Sequence, residues 1–265
     1  MAGDRDGADL SMPDRVLAAG YPRAEERSTV APKADAVRVR PSALVFDVNE
    51  TLIDINWIAP LFAELFGDER KLREWFGQLV MYSMTATLAG YYADFLALGQ
   101  GMLRMLGAVH RVAITDDDVL RLEELMRTMP AHPDVAEGLA ALRDNGFRLA
   151  TLTNSPHHPG VPTPLENAGL AGFFEHQLSV HTCRAFKPAP VVYRHVCQVL
   201  DVAPAACMMV AAHVWDTLGA QAVGFSSALI TRPGNAPLPV DGLPQPTLMA
   251  NDLRELAGRL ITGTH

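Results

Sequence analysis

The sequence predicts an α/β fold: a parallel sheet with helices on its faces, and an all-helical segment inserted after its first strand. Two observations carry this. Short apolar runs ending in polar or glycine-containing turns alternate with helical patterns, which is the rhythm of a parallel sheet. The rhythm breaks once, over residues 56–131, where helical patterns follow one another with no convincing strand between them.

The elements follow in order. Residues 1–40 begin polar and Gly/Asp-rich ("MAGDRDGADL") and then mix charges with Ala, Pro and short apolar groups. Without sustained periodicity they read as a mobile or loosely docked extension, with room for a short amphipathic helix near Asp14 to Ala19. "ALVF" (43–46) is the first strand, and residues 41–55 with 132–265 are expected to form the core domain. Residues 56–131 are the expected cap, with one helix N-capped near Thr115 in "TDDDVLRLEELMRTM". "RLATLT" (148–153), "MMVAA" (208–212) and "SALIT" (227–231) are further strands, with helices expected at 134–145, 188–200 and 216–223. "RPGNAPLPVDGLPQP" (232–246) is a Pro/Gly-rich loop before a last helix in "ANDLRELAGRL".

Composition narrows the function. The 265 residues are 49% hydrophobic, enough for one large domain or a domain with an insertion. A net charge of −8 argues against a nucleic-acid partner. It also means that an anionic substrate needs local cationic or N–H groups against an unfavourable overall field. Cys183, Cys197 and Cys207 follow no metal or disulfide spacing and read as small buried hydrophobes in a reducing compartment. With no secretory apolar region and no run long enough to span a bilayer, a soluble cytoplasmic protein is expected, with no membrane partner.

In open parallel sheets ligands bind beyond the carboxyl ends of the strands. The polar residues that follow the apolar runs should therefore meet at one edge: Asp47, Thr153 with Asn154, and the turn from His213 to Asp216. An Asp at a strand tip is commonly a turn cap. The meaning changes when "FDVNETLID" (46–54), "LTNS" (152–155), "KPAPVVY" (187–193) and "AHVWDTLGA" (212–220) occur in that order.

These four stretches resemble the haloacid dehalogenase superfamily, and more narrowly its L-2-haloacid dehalogenase (type II) subgroup, whose motifs are roughly FDxxGTLxD, LSNG, KPxxxVY and SNxWDxxGA. The resemblance runs from about Leu44 to about Asn235. It implies a Rossmann-like core with a helical cap and a hydrolase of small 2-haloalkanoic acids. Asp47 would be the nucleophile, forming an ester; a carboxylate is ionised at neutral pH without a base. Lys187 would hold it anionic, Thr51 would orient it, and Asp216 with Lys187 would orient or activate the water that cleaves the ester. Thr153 and Asn154 would bind the substrate's carboxylate and Phe95 and Trp215 would pack around its carbon skeleton, with Asn49, Phe76, His213 and Tyr193, the KPxxxVY tyrosine, also among the substrate-binding residues.

Asn49 stands where phosphatases of the superfamily carry an acid that protonates a departing alkoxide. An amide cannot donate that proton, so a halide leaving group suits the site better. Glu50, one position on, is expected to point elsewhere. The later motif has Ala211 and Ala212 where Mg²⁺-dependent relatives carry an acid, leaving Asp216, so no metal and no cofactor are expected. The likeness to the subgroup also leaves room for a homodimer.

Three positions depart from the pattern. The subgroup has a halide-binding arginine immediately after a cap Trp; here Phe76 follows Trp75, and Arg73 is expected to face another side of the helix. His213 stands in "AAH", where it either reshapes water binding or fills the space left by Ala211. His157 and His158 follow Asn154, either touching a leaving group or larger substrate, or lying in a solvated Pro-rich turn. The alternatives to a dehalogenase are a related hydrolase using the same ester chemistry on another small acid, a Mg²⁺-dependent phosphatase, and a non-catalytic small-acid-binding protein.

Overall fold

The computed structural model describes residues 40–263; the expected helix near Asp14 and nearly all of the N-terminal extension lie outside them. Six strands form one sheet: β1 (Ala43–Phe46), β2 (Arg148–Thr153), β3 (His176–Ser179), β4 (Cys207–Ala211), β5 (Ser226–Ile230) and β6 (Leu248–Ala250). Their spatial order is β3-β2-β1-β4-β5-β6, and every pairing is parallel. β1 and β4 are buried along their whole length because both faces of the sheet are covered, which is why they read as unbroken apolar runs. β3 ("HQLS") and β6 ("LMA") are the edge strands. β3 is only partly buried and β6 has three residues, so neither carries the apolar run that marks a central strand.

Four helices, α1 (Ala59–Phe66), α2 (Lys71–Leu88), α3 (Phe95–His110) and α4 (Asp116–Arg127), follow β1 within residues 56–131. The others are α5 (Val135–Asp144), α6 (Pro164–Asn167), α7 (Pro190–Leu200), α8 (Val214–Gln221) and α9 (Leu253–Thr262). α4 starts where Thr115 and Asp118 form a reciprocal capping box. α2 and α3 pack closely because Gly99 has no side chain: an added Cβ would stand 3.2 Å from the Trp75 ring, whose Nε1 donates to the Gly99 carbonyl at 2.9 Å. Buried residues of these helices (Phe62, Trp75, Leu79 and Phe95) belong to the same continuous apolar core as Phe46 and Val210 of the sheet.

Register sets the site. Phe46 is level with Thr151 of β2 and Val210 of β4, and the Asp47 N–H donates to the Val210 carbonyl at 3.0 Å. The residues after β1, β2 and β4 therefore emerge at one edge. The chain winds from β1 to β3 in one direction and then crosses to β4, so the crevice lies between the carboxyl ends of β1 and β4. α8 starts two residues before the expected position, because His213 is its cap residue and Asp216 already lies in its first turn.

Candidate active site

Asp47 is the first residue past β1, and the turn behind it is tight. Leu52 and Ile53 both donate their N–H groups to the Val48 carbonyl, at 2.9 and 3.1 Å. Glu50 takes a left-handed backbone conformation within it, with φ of 63°. A buried Arg232 braces the turn from below, donating to the Thr51 carbonyl at 2.9 and 3.2 Å and to both oxygens of Asp134 at 2.7 and 2.9 Å.

On one side of Asp47 stands Lys187. Its Nζ donates to Asp47 Oδ1 at 2.8 Å, to Asp216 Oδ2 at 2.6 Å and to the Leu152 carbonyl at 2.8 Å, so all three protons are used. The Lys187 backbone N–H donates to Asn154 Oδ1 at 3.2 Å. Tyr193 donates its hydroxyl to the other Asp216 oxygen at 2.6 Å. Lys187, Tyr193 and Asp216 are fully buried. Gly219, one turn along α8, is required here: a Cβ would stand 2.7 Å from the Tyr193 hydroxyl.

On the other side stands His213. Its Nδ1 is 3.3 Å from Asp47 Oδ2 and its Nε2 is 2.7 Å from Glu50 Oε2. Glu50 in turn pairs with Arg73 of α2. Thr51 completes the frame, donating its hydroxyl to Asp47 Oδ2 at 2.7 Å while accepting the Ala212 N–H at 2.8 Å.

The electrostatics follow from these contacts. Burial alone would raise the Asp47 carboxyl, but Lys187 and His213 outweigh it and hold the group well below the usual carboxylate range. Burial opposes the charge on Lys187, yet Asp216 and Asp47 keep its pKa above that of an ordinary lysine. Asp216 is pushed up, because burial and the nearby Asp47 charge outlast the attraction of Lys187. Burial also lowers His213, but the Asp47 and Glu50 carboxylates raise it to about 9. At neutral pH Asp47 is thus an ionised carboxylate between an ammonium and an imidazolium.

A small pocket opens over Asp47. It is lined by Asp47, Asn49, Phe76, Val80, Phe95, Asn154, His213 and Trp215, and its free volume is about 10 Å³. That is room for about one water molecule. Trp215 stacks on His213 with ring centres 4.9 Å apart, and Phe76 lies 5.8 Å from the same imidazole. Asn49 Nδ2 reaches Ser155 Oγ at 3.4 Å.

The structure thus brings Asp47, Asn49, Phe76, Phe95, Asn154, His213 and Trp215 together around the pocket, with Thr51 and Lys187 bonded to Asp47. Tyr193, expected among the substrate-binding residues, instead lies behind Asp216 and does not line the pocket over Asp47. Thr153 also turns away, its hydroxyl accepting the Ser155 N–H at 3.1 Å to close the turn after β2. His158 lines a separate cavity of about 100 Å³ with Leu96, Met126 and Val161, and neither it nor His157 reaches the pocket over Asp47.

Two residues join the site unexpectedly. Glu50 does not point elsewhere; it is buried and bonded to His213. Arg73 does not face another side of its helix, because residues three apart on a helix are neighbours and Phe76 already lines the pocket. The signal for Glu50 was present: it occupies the position that is glycine in the FDxxGTLxD motif, and φ there is positive. Among the described residues no cluster of three or more His, Cys, Asp or Glu has metal-holding geometry, and no helix is long and apolar enough to cross a membrane.

A family model described as haloacid dehalogenase-like hydrolase matches residues 41–224. The (S)-2-haloacid dehalogenase 1 of Pseudomonas sp. (strain CBS-3) is 32% identical over 196 residues, covering 72% of this chain and 84% of its own length. The (S)-2-haloacid dehalogenase 4A of Burkholderia cepacia is 31% identical over 199 residues, covering 74% and 85%. The structure of L-2-haloacid dehalogenase from Xanthobacter autotrophicus with chloropropionic acid covalently bound matches with a TM-score of 0.75 at 25% identity, covering 85% of this chain and 100% of that one. With the parallel sheet, the strand-tip aspartate and the lysine beside it already in place, these matches establish that the chain belongs to the haloacid dehalogenase-like hydrolases.

Proposed function

We propose that this protein hydrolyses the carbon–halogen bond of a small 2-haloalkanoic acid through an ester on Asp47. The observation that carries the reading is an ionised Asp47 carboxylate on the floor of a pocket walled by Phe76, Val80, Phe95 and Trp215. An Asp47 oxygen attacks C2 from the side opposite the halogen, the C–X bond breaks with its electron pair on the halide, and configuration inverts. Water then adds to Asp47 Cγ, and the 2-hydroxy acid leaves with the oxygen that Asp47 supplied. Lys187 and Thr51 hold the nucleophile, while the Asn49 and Asn154 amides are the polar groups facing the substrate's carboxylate. The likeness to dehalogenases, including one structure with chloropropionic acid covalently bound, supports the assignment.

The free volume of about 10 Å³ is too small for such an acid. The α2–α3 segment therefore acts as a lid that opens for substrate and shuts out bulk water during the reaction. No metal takes part in this scheme: the Lys187 ammonium bridges Asp47 and Asp216, the two carboxylates nearest the reaction. A cytoplasmic location accords with three free cysteines. The homodimer implied by the likeness is checked by light scattering.

Halide release from chloroacetate, bromoacetate and both enantiomers of 2-chloropropionate, with excess chelator, tests the function. Release from one 2-chloropropionate enantiomer is expected. Activity that appears only with added Mg²⁺ would contradict it. A second reading, the same ester chemistry on a different small acid, is favoured by Phe76, which puts an aromatic ring where the resembled subgroup has a cation. Saturable turnover of a non-halogenated acid, with no halide release, would select it.

A further inference from the structure

Besides Asp47, the pocket is lined by one other titratable side chain, His213. Asp216 is poorly placed to receive a proton from water: it is fully buried, it does not line the pocket, and its oxygens already accept from Lys187 and Tyr193. His213 is also buried, but it does line the pocket: its Nε2 is engaged with Glu50 at 2.7 Å, and its Nδ1 lies 3.3 Å from Asp47 Oδ2 without a well-aligned hydrogen bond. Nucleophile, imidazole and orienting carboxylate stand in the order of a catalytic triad, with an aspartate as the nucleophile.

We propose that His213 is the general base that activates water against the Asp47 ester, with Glu50 as its positioning residue; this rests on the ester reading above. With Nε2–H donated to Glu50, loss of the second proton leaves the Nδ1 lone pair facing Asp47, which is the tautomer a base needs. In the resting enzyme two carboxylates keep the imidazole protonated. Ester formation removes the Asp47 charge, and the imidazolium releases its proton through the pocket that it lines. That is the one proton released when R–X and water become R–OH, halide and H⁺. Neutral Nδ1 then takes a proton from water as the water oxygen bonds to Asp47 Cγ. The ester C–O bond breaks, and the departing alkoxide takes that proton back from His213. Asp47, now a carboxylic acid, returns a proton to His213 and restores the resting pair.

The groups that face His213 set its titration. They are Asp47 after β1, Glu50 in the turn beyond it, and the apolar rings of Phe76 and Trp215. Behind the two acids stand the cations Lys187 and Arg73.

The test mixes wild type, His213→Gln and His213→Asn with 2-bromopropionate and follows bromide and intact protein mass together. The variants should release one bromide per enzyme in a burst, accumulate a carboxyethyl adduct on Asp47, and then turn over roughly 100-fold more slowly. Glu50→Gln should still turn over, with the pH midpoint of ester hydrolysis moved down, because one anion no longer holds the proton on His213. A merely structural Glu50 would leave that midpoint in place. Variants that show neither burst nor adduct, or that turn over like wild type, would overturn the role of His213 while leaving the Asp47 ester intact. No bromide from any form, wild type included, would overturn the ester reading and this role together.

Discussion

The two oxygens of Asp47 look into different surroundings. Oδ1 meets Lys187, then Asp216 and Tyr193, a chain sealed inside the sheet and its covering helices. Oδ2 meets Thr51 and His213, then Glu50 and Arg73, a chain that touches the pocket at His213 and ends on a helix of the inserted segment. The Arg73 side chain is 37% exposed, whereas that of Lys187 is 0% exposed. The first chain is built to keep a carboxylate charged and still. The second contains a histidine whose charge depends on pH and ends in a partly solvated arginine of α2. The difference teaches that one carboxylate can be fixed through both oxygens, by Lys187 and Thr51, while only one of them also meets a titratable neighbour, His213.

Breaking the sealed side should have the largest effect. Lys187→Met leaves Asp47 and Asp216 buried without their shared cation, so unfolding in denaturant should show a loss of about 3–5 kcal/mol, together with loss of turnover. Tyr193→Phe is milder. It leaves Asp216 Oδ1 without its donor at 2.6 Å, and stability should fall by about 1–3 kcal/mol.

On the pocket side the effect depends on pH. His213 rises from 6.5 to about 9 in the folded protein, chiefly against burial and because of Asp47 and Glu50. A raised pKa means that its stabilising contribution is complete below 6.5 and is lost as pH climbs through about 9. The stability difference between wild type and His213→Gln, measured by denaturant titration across that window, should shrink as pH rises. A constant difference would show that His213 matters only as packing. Arg73→Ala should be the smallest change, about 1 kcal/mol or less in unfolding, since its guanidinium is partly solvated and Glu50 keeps His213 as a partner.

The same division governs how much was legible in the sequence. Asp47, Lys187 and Asp216 follow strands or open helices in ordered motifs, so their convergence could be read from alternation and from a likeness to known motifs. The other chain joins residues 163 positions apart, and its partner from α2 is fixed only by how that helix lies on the sheet edge. Glu50 is the instructive case. Its side chain reaches His213 because the turn is left-handed at that residue, a backbone fact that spacing alone does not carry. Arg232 escaped for a related reason: it heads a Pro/Gly-rich loop, yet its guanidinium is buried against Asp134 and the Thr51 carbonyl. β3 and β6 were missed because edge strands need less apolar surface.

The central claim is that Asp47 forms an ester, and a single turnover in heavy-oxygen water tests it most directly. With enzyme in excess over 2-bromopropionate, the first 2-hydroxy acid should be unlabelled and the heavy oxygen should appear in the Asp47 carboxylate, located by mass spectrometry of the peptide that contains it. Label in the product, with Asp47 unlabelled, would mean that water attacks the substrate directly and would contradict the account.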